Sequence, residues 1–393
     1  MATAGKKWWN LFLVSAAHAE THVQTSAYSL IYIYVMRYFG IDYAQLGLLI
    51  GAANFVSGLL QGIYGWLSSS IKRKYLCGGG NIIVGLTMMG SALSSSFPLF
   101  SFFRVAGAVG SSPQHPVASS LIADWFEKRE RGRALTIHTA AGNAGTVAAP
   151  LLVGFTVNFL GWRDVLLVLG IPGLLFGVLV MLMAYDIRAT ISFKSSSASI
   201  KRYADVLRDP NLLRLYAARA VIAGGRGLGV ALVYIPLYLA NVLHLSSVLV
   251  GELYTLLAVG SVISPLLGSH IADYLGKRKI VIVPSLLISA AGTITLTLSG
   301  ADLAGVIVGL VLIGTFLFSE GPLSQAMLSD IVKDELRDAG FSVYYTSNYV
   351  SGSAWGTALG FIVSYFGFTT LFWVMTASYL VGAAIISTVA ERG

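Results

Sequence analysis

The sequence predicts an all-α membrane protein with twelve transmembrane helices in two pseudo-symmetric six-helix bundles. Three observations support this prediction. The chain of 393 residues is 55% hydrophobic and only 11% charged, apolar runs recur along it, and basic residues gather between alternate runs. Soluble domains carry about 25% charged residues, so charge this sparse cannot cover a water-exposed surface. Most of the chain is therefore expected to lie in lipid.

A helix needs about 20 mainly apolar residues to cross the hydrocarbon core of a bilayer. Twelve stretches meet that requirement, and the 43 glycines are typical of helices that pack closely in lipid. The predicted spans cover about residues 10–38, 46–68, 76–97, 99–124, 133–158, 164–186, 212–240, 247–272, 279–299, 303–330, 340–366 and 369–389.

Most of the 26 lysines and arginines fall in the termini and in alternate connections between these spans. Because basic loops stay on the cytoplasmic side, we expect both termini to be cytoplasmic and the protein to lie in the plasma membrane. The positive charges are then loop residues at the lipid surface, which argues against a nucleic-acid partner. These clusters are Lys6–Lys7, Lys72–Lys74, Lys128–Arg133, Arg188–Arg214, Lys277–Lys279 and Lys333–Arg337.

One long polar segment divides the chain into two sets of six predicted spans. This serine-rich and basic stretch, residues 187–211, predicts a flexible cytoplasmic linker. It separates an N-terminal bundle, residues 1–186, from a C-terminal bundle, residues 212–393. We expect the protein to act as a monomer.

The two halves resemble each other weakly, which indicates an internal repeat. With a shift of 204 residues, GWLSSSIKRK at 65–74 lies over SHIADYLGKRK at 269–279, and with a shift of 206 residues Asp124 falls on Asp330. Two six-helix halves, each with a basic loop between its second and third spans, resemble the major facilitator superfamily. That resemblance covers the whole chain and implies a transporter that works by alternating access.

The loop motif of that superfamily is clear only in the second half. Residues 273–278, DYLGKR, match it, and the resemblance implies gating roles for Asp273, Lys277 and Arg278. The first half departs from the motif, because Ser69 stands where the family has an aspartate and Lys72 where it has a glycine. In the family, that aspartate helps to hold one conformation closed.

A closer resemblance, confined to the N-terminal half, is to the fosmidomycin-resistance branch of the superfamily. It implies export by proton antiport and links Arg104 to proton coupling. His22 stands where that branch often has an aspartate. The motifs are Ala17-His18, GIDYAQLGLL at 40–49, the spaced residues Arg104, Gly110 and His115-Pro116, RGRALTIH at 131–138 and AGNAG at 141–145.

Polar side chains in the first span form two rows on a helix. One face carries His18, His22, Thr25 and Ser29, and a second row about 160° away carries Glu20 and Gln24. Ionisable groups are expensive in lipid and should face a cavity or a partner. We expect the histidine face to line a central cavity, where its protonation helps to set which side opens, and the other row to pack on a neighbouring helix. A purely structural hydrogen-bond network is the alternative.

His22 and Arg226 lie near mid-depth in their spans, at equivalent positions of the two halves. Transporters built from repeats bind substrate at that depth. Arg219 lies two turns nearer the cytoplasm and is assigned to gating or to a structural pair. The candidate substrate-binding residues are His18, His22, Tyr28, His115, Arg226 and Glu320. The candidate proton-coupling residues are Glu20, His22, Arg104, His115, His138 and Glu320.

Other chemistries find less support in the sequence. His18 and His22 could ligate a metal with His115 or His138 completing the site, but the spacing is not that of a zinc protease, and no metal or cofactor is expected. The chain lacks a G-x-x-x-x-G-K-[ST] motif for ATP and a clear nucleophile, so we expect no enzyme.

The internal charges lean positive, which favours a small organic anion exchanged for or carried with protons across the bilayer. Export by proton antiport is the favoured function. Uptake of an organic acid or a transition-metal ion is the first alternative. A membrane sensor that binds a ligand without moving it is the second.

Overall fold

The computed structural model describes residues 4–68, 70–186, 200–226 and 230–391. Every regular element within them is helical, which confirms the predicted fold class. The α-helices are α1 Ala4–Phe39, α2 Tyr43–Leu67, α3 Arg73–Ala92, α4 Phe97–Ser111, α5 Pro116–Trp125, α6 Lys128–Met183, α7 Ile200–Arg208, α8 Pro210–Arg226, α9 Val230–Asn241, α10 Ser247–Leu275, α11 Lys279–Ser299, α12 Leu303–Leu317, α13 Glu320–Ile331 and α14 Arg337–Ser387.

The helices follow the predicted spans with two kinds of difference. Spans 5 and 6 are joined in α6 through Gly161, and spans 11 and 12 are joined in α14 through Gly367; these glycines have φ of 76° and 78°. Only glycine adopts such a conformation without strain. A single glycine therefore forms the whole turn between the two spans in each case. By length and composition, seven described helices could cross a membrane, among them the two double-length ones.

Spans 4 and 10 are each broken near their middle. Between α4 and α5 the chain forms a 3₁₀ turn, Ser112–Gln114, and between α12 and α13 it leaves the helix at residues 318–319. Proline lacks the N–H that would bond to the carbonyl four residues earlier. Pro116 and Pro322 therefore remove a helical bond at Ser112 and at Phe318, where the two breaks lie.

The chain forms two compact units. The first is drawn from residues 1–41, 52–194 and 246–252, and the second from residues 42–51, 195–245 and 253–393. Part of the predicted linker is helical, since α7 occupies residues 200–208. The rest of the linker up to residue 199, and the motif position Ser69, lie outside the described residues. The predicted domain boundaries remain a prediction.

The internal repeat reappears as matching contacts at the starts of α3 and α11. The Lys74 backbone N–H donates to Asp186 at 3.3 Å, and the Lys279 backbone N–H donates to Glu391 at 2.8 Å. A carboxylate at a helix N-terminus satisfies free N–H groups and the helix dipole. One residue before each donor, an arginine pairs with an aspartate: Arg73 with Asp124, and Arg278 with Asp330 at 3.6 Å.

Close packing of α3 on α6 depends on glycine. A Cβ atom added at Gly85 would lie 2.6 Å from the carbonyl oxygen of Gly170, which is backbone and cannot turn aside. Helices in lipid gain most from such close approach because no hydrophobic effect drives them together. At Gly79, on the same helix, the nearest atom would be 3.9 Å away.

We expect Gly85→Ala to destabilise the protein by about 1–3 kcal/mol, because the methyl group overpacks a backbone contact. Gly79→Ala, the matched control on α3, should leave the free energy of unfolding within about 0.5 kcal/mol of the wild-type value. Thermal unfolding in detergent measures both. Equal effects of the two variants would contradict this account of the α3–α6 contact.

The predicted orientation can be tested at the two ends of α3. In a Cys77→Ser background, Lys72→Cys should react with an impermeant thiol reagent only from the cytoplasmic side, because Lys72 belongs to a basic connection. Ser95→Cys should react only from outside. Both residues are exposed and lie just beyond the helix. The opposite labelling pattern in intact cells would reverse the orientation.

Candidate functional site

The first unit holds four histidines at the contact of α1 with α6. Small residues on α6 make this arrangement possible: a Cβ atom at Gly142 would lie 2.7 Å from the His18 ring, and one at Gly145 would lie 3.1 Å from the His22 Cβ. The AGNAG segment therefore lets the two helices approach until imidazole rings of α1 lie against α6. His115 reaches the same place from the break between α4 and α5.

The four rings form one cluster. The His18 ring centroid lies 4.6 Å from that of His22, 5.2 Å from that of His115 and 4.2 Å from that of His138. His22 and His115 are 5.9 Å apart. His18 and His138 are buried, whereas His115 is exposed. The structure thus brings together all four histidines that the sequence placed in spans of the N-terminal half.

Hydrogen bonds orient three of these rings. His18 Nδ1 lies 3.0 Å from the carbonyl oxygen of His138, and His22 Nδ1 lies 2.9 Å from the hydroxyl of Thr146. His138 contacts Ser15 Oγ at 3.4 Å and the Gln114 carbonyl at 3.5 Å. The proton-coupling role of these histidines stays a prediction.

The second polar row of α1 packs against neighbouring helices of the same unit. Asn81 of α3 donates to the Glu20 carboxylate at 3.2 Å, and Gln114 donates to the Asn81 side-chain oxygen. Gln24 donates to the Leu169 carbonyl at 2.7 Å. The other Glu20 oxygen, Oε1, is buried with no hydrogen-bond partner among the described residues, so Glu20 keeps capacity to hold a proton or an incoming donor.

Arg104 sits among tyrosines of α1. Its Nε donates to the Tyr32 hydroxyl at 2.9 Å, and its guanidinium carbon lies 4.8 Å from the centre of the Tyr28 ring. The Tyr28 hydroxyl donates to Ser91 at 3.0 Å. Tyr28 is buried and already has partners, so a substrate contact there would require these partners to part.

The second unit holds a buried ion triad formed by side chains of α8 and α13. Glu320 is the first residue of α13, and Arg226 is the last residue described before a gap at 227–229. Arg219 Nη1 pairs with Glu320 Oε2, and Arg226 Nη1 lies 3.3 Å from that same oxygen. Ser324 donates to the other carboxylate oxygen at 2.7 Å. Arg219, assigned from the sequence to gating or to a structural pair, is thus the nearer partner of Glu320.

The three side chains of the triad differ in how far they are buried. The Glu320 side chain is 0% exposed and that of Arg219 is 6% exposed, whereas that of Arg226 is 22% exposed. Asn348 of α14 accepts from Arg219 Nη2 at 2.7 Å. Gly321 makes room for the second arginine, because a Cβ atom there would lie 2.7 Å from Arg226 Nη2. Two guanidiniums and one carboxylate leave the triad with one net positive charge.

The three predicted gating residues of the loop motif lie at the end of α10. Arg278 pairs with Asp273 and lies near Asp330 at 3.6 Å, while Lys277 is exposed. Asp273 and Asp330 are 67% and 51% exposed. Ion pairs this accessible contribute about 0–1 kcal/mol. The gating role of these residues stays a prediction.

Sequence reasoning missed three amides that complete these networks. Asn81 and Gln114 join Glu20 to the histidine cluster, and Asn348 orients Arg219. Each is an uncharged polar residue within an apolar span, where polar side chains must find partners. That signal was available in the sequence, but the partners could be identified only once the helices were placed.

An all-helical membrane fold with an internal repeat and buried charged side chains within its spans is typical of secondary transporters. The family model described as Major Facilitator Superfamily matches residues 18–251 and 220–392. These matches together span most of the chain. The chain belongs to the Major Facilitator Superfamily and is an integral membrane protein.

Curated relatives and a solved structure agree with this assignment. A "Probable L-galactonate transporter" of Escherichia coli is 22% identical over 90% of this chain and 82% of its own length. A "Probable galactarate/D-glucarate transporter" of Bacillus subtilis is 22% identical over 92% of this chain and 87% of its own length. A bacterial homologue of the human lysosomal transporter Spinster, solved inward-facing and occupied, is 17% identical with a TM-score of 0.81, over 99% of this chain and 97% of its own.

We expect Glu320→Gln to cost about 3–5 kcal/mol of stability, because it leaves two membrane-embedded cations without a counter-charge. The double variant Arg219→Gln/Glu320→Gln should lose less than the sum of the two single variants. Denaturation of the purified protein in detergent measures each loss. Asp273→Asn, which breaks an exposed ion pair, should cost at most about 1 kcal/mol. Additive losses in the double variant would contradict the pairing.

Proposed function

We propose that this transporter carries a small organic anion of the sugar-acid type, with the triad of Arg219, Arg226 and Glu320 as its anion-binding site. The observation that carries the proposal is the net positive charge of this enclosed triad. A buried charge without full compensation attracts a counter-ion. A substrate carboxylate would supply it.

Arg226 is the residue best suited to meet the substrate. Its bond to Glu320 is 3.3 Å long, and its side chain is the most exposed of the three. Arg219 is held by both Glu320 and Asn348. A guanidinium can bind a carboxylate through two parallel N–H donors. Arg226 can therefore turn from Glu320 to a substrate carboxylate while Arg219 continues to neutralise Glu320.

The charge balance also suggests how protons enter. A monoanion brings the triad to neutrality, whereas a dianion leaves one negative charge in a membrane-embedded site. A proton on Glu320 would remove that charge once Arg226 has turned to the substrate. Proton and dianion would then be bound in the same state, so this linkage would let a proton gradient drive symport of a dianion.

Two features bear on the substrate and the direction of transport. The names of the two relatives, galactonate and galactarate or glucarate transporters, support polyhydroxylated mono- and dicarboxylates as the substrate class and organic-acid uptake as the second candidate. The N-terminal motifs that resemble the fosmidomycin-resistance branch favour export by proton antiport instead, in which proton and substrate bind in turn. We propose that the protein works in the plasma membrane as a monomer, with cytoplasmic termini.

Counter-flow in proteoliposomes tests the proposal. Labelled galactonate or glucarate should accumulate against unlabelled anion, whereas neutral galactose should not exchange. Arg226→Gln should reduce anion counter-flow at least about 30-fold, the effect of losing about 2 kcal/mol of charge-assisted binding. Arg214→Gln is the matched control, because Arg214 is an exposed residue of the same helix, and it should transport normally. Equal exchange of galactose, or normal anion exchange by Arg226→Gln, would refute the proposal.

A further inference from the structure

The histidine cluster of the first unit has no part in the proposed anion site. Its rings at positions 18, 22 and 115 each offer one ring nitrogen, and these three atoms all lie within 4.8 Å of one another. Imidazole nitrogen is a preferred ligand of zinc, copper and nickel. The cluster therefore has the chemistry of a transition-metal site. The hydrogen bonds of two of its rings also leave ring nitrogens available to a metal.

The first observation is an unused nitrogen in a buried ring. His18 is 2% exposed, and its Nε2 has no hydrogen-bond partner among the described residues. The carbonyl of His138 can only accept, so His18 Nδ1 carries the proton and donates to it at 3.0 Å. Nε2 is then left as a bare lone pair. Burying a polar atom without a partner is costly, unless a ligand occupies it.

The second observation is that His22 Nδ1 also faces an oxygen, the Thr146 hydroxyl at 2.9 Å. When this hydroxyl donates to the Gly142 carbonyl at 3.4 Å, its oxygen accepts from His22 Nδ1 and leaves Nε2 as a lone pair. Histidines that bind metals commonly donate their other N–H to a carbonyl or another oxygen, which fixes the ring and its tautomer. Both rings of α1 have such an oxygen at Nδ1.

His115 completes the set and leaves it accessible. It lies at the break between α4 and α5 and is the exposed member of the three. His138 packs beneath His18 and holds it through a backbone carbonyl, so it supports the site from behind. A zinc site with three histidines and one open position differs from a closed structural site, which has four protein ligands.

We propose that His18, His22 and His115 form a binding site for a divalent transition-metal ion of the zinc type. Tetrahedral zinc with bonds of about 2.0–2.1 Å places its ligand nitrogens about 3.3 Å apart. The widest of the three separations must therefore close by up to about 1.5 Å when the ion binds. The site does not depend on the proposed anion transport.

Zinc titration of the full-length protein tests the site. The protein is purified in detergent through a tag without histidines, stripped with a chelator and titrated with Zn²⁺ by calorimetry. Co²⁺ serves as a second probe, because its visible absorption reports tetrahedral nitrogen coordination. We expect one ion per chain, with affinity reduced at least about 10-fold in His22→Gln and in His115→Gln.

Two variants keep the test decisive. His115→Gln changes an exposed residue and should leave folding intact, as size-exclusion chromatography and thermal unfolding would verify. His270→Gln removes an exposed histidine of α10, in the second unit, and should bind Zn²⁺ as the wild type does. No saturable binding by the wild type, unchanged affinity in His115→Gln, or equal loss in His270→Gln would each overturn the proposal.

Discussion

Inside a bilayer no water satisfies the backbone, so every N–H and carbonyl group must find a partner within the protein. This constraint explains why every regular element described here is a helix. It also makes each helix break informative, because irregular backbone at that depth is tolerated only where protein or a cavity covers it. Two breaks among the described residues coincide with ionisable groups: His115 follows the 3₁₀ turn Ser112–Gln114, and Glu320 begins α13.

Small hydroxyl side chains lie at both breaks. The Ser319 N–H, just before α13, donates to the Ser264 hydroxyl at 2.8 Å. At the equivalent break, the Ser112 hydroxyl donates to the Ala108 carbonyl at 2.6 Å. Prolines at equivalent positions of the repeat accompany both breaks, so the two halves share the cause of the break but differ in the hydrogen bonds made there.

The two units share a framework but differ in the chemistry they hold. The starts of α3 and α11 are capped by carboxylates at equivalent positions, and both carry an arginine–aspartate pair. Within that shared framework, the first unit places imidazoles, which can bind a proton or a metal. The second places guanidiniums and a carboxylate, which carry fixed charge. The framework is thus kept while the groups inside it have diverged.

The sequence predicts much of this fold because lipid imposes simple rules. Apolar length locates the spans, and basic residues mark the connections between alternate spans. The joining of spans through single glycines, Gly161 and Gly367, is harder to predict from the sequence, since a hydropathy pattern carries no information on backbone angles. For the sites, helical spacing grouped His18 with His22, because that contact is local. The pairing of Arg219 with Glu320 depends on how α8 meets α13, and one-dimensional spacing carries no such information.

The single-residue turns have a consequence for how the molecule meets its surroundings. Gly161 and Gly367 each replace the whole loop between two spans. A protease needs several residues of extended chain to bind and cut. Neither of these two connections offers such a segment, so we expect the spans they join to resist separation by proteolysis.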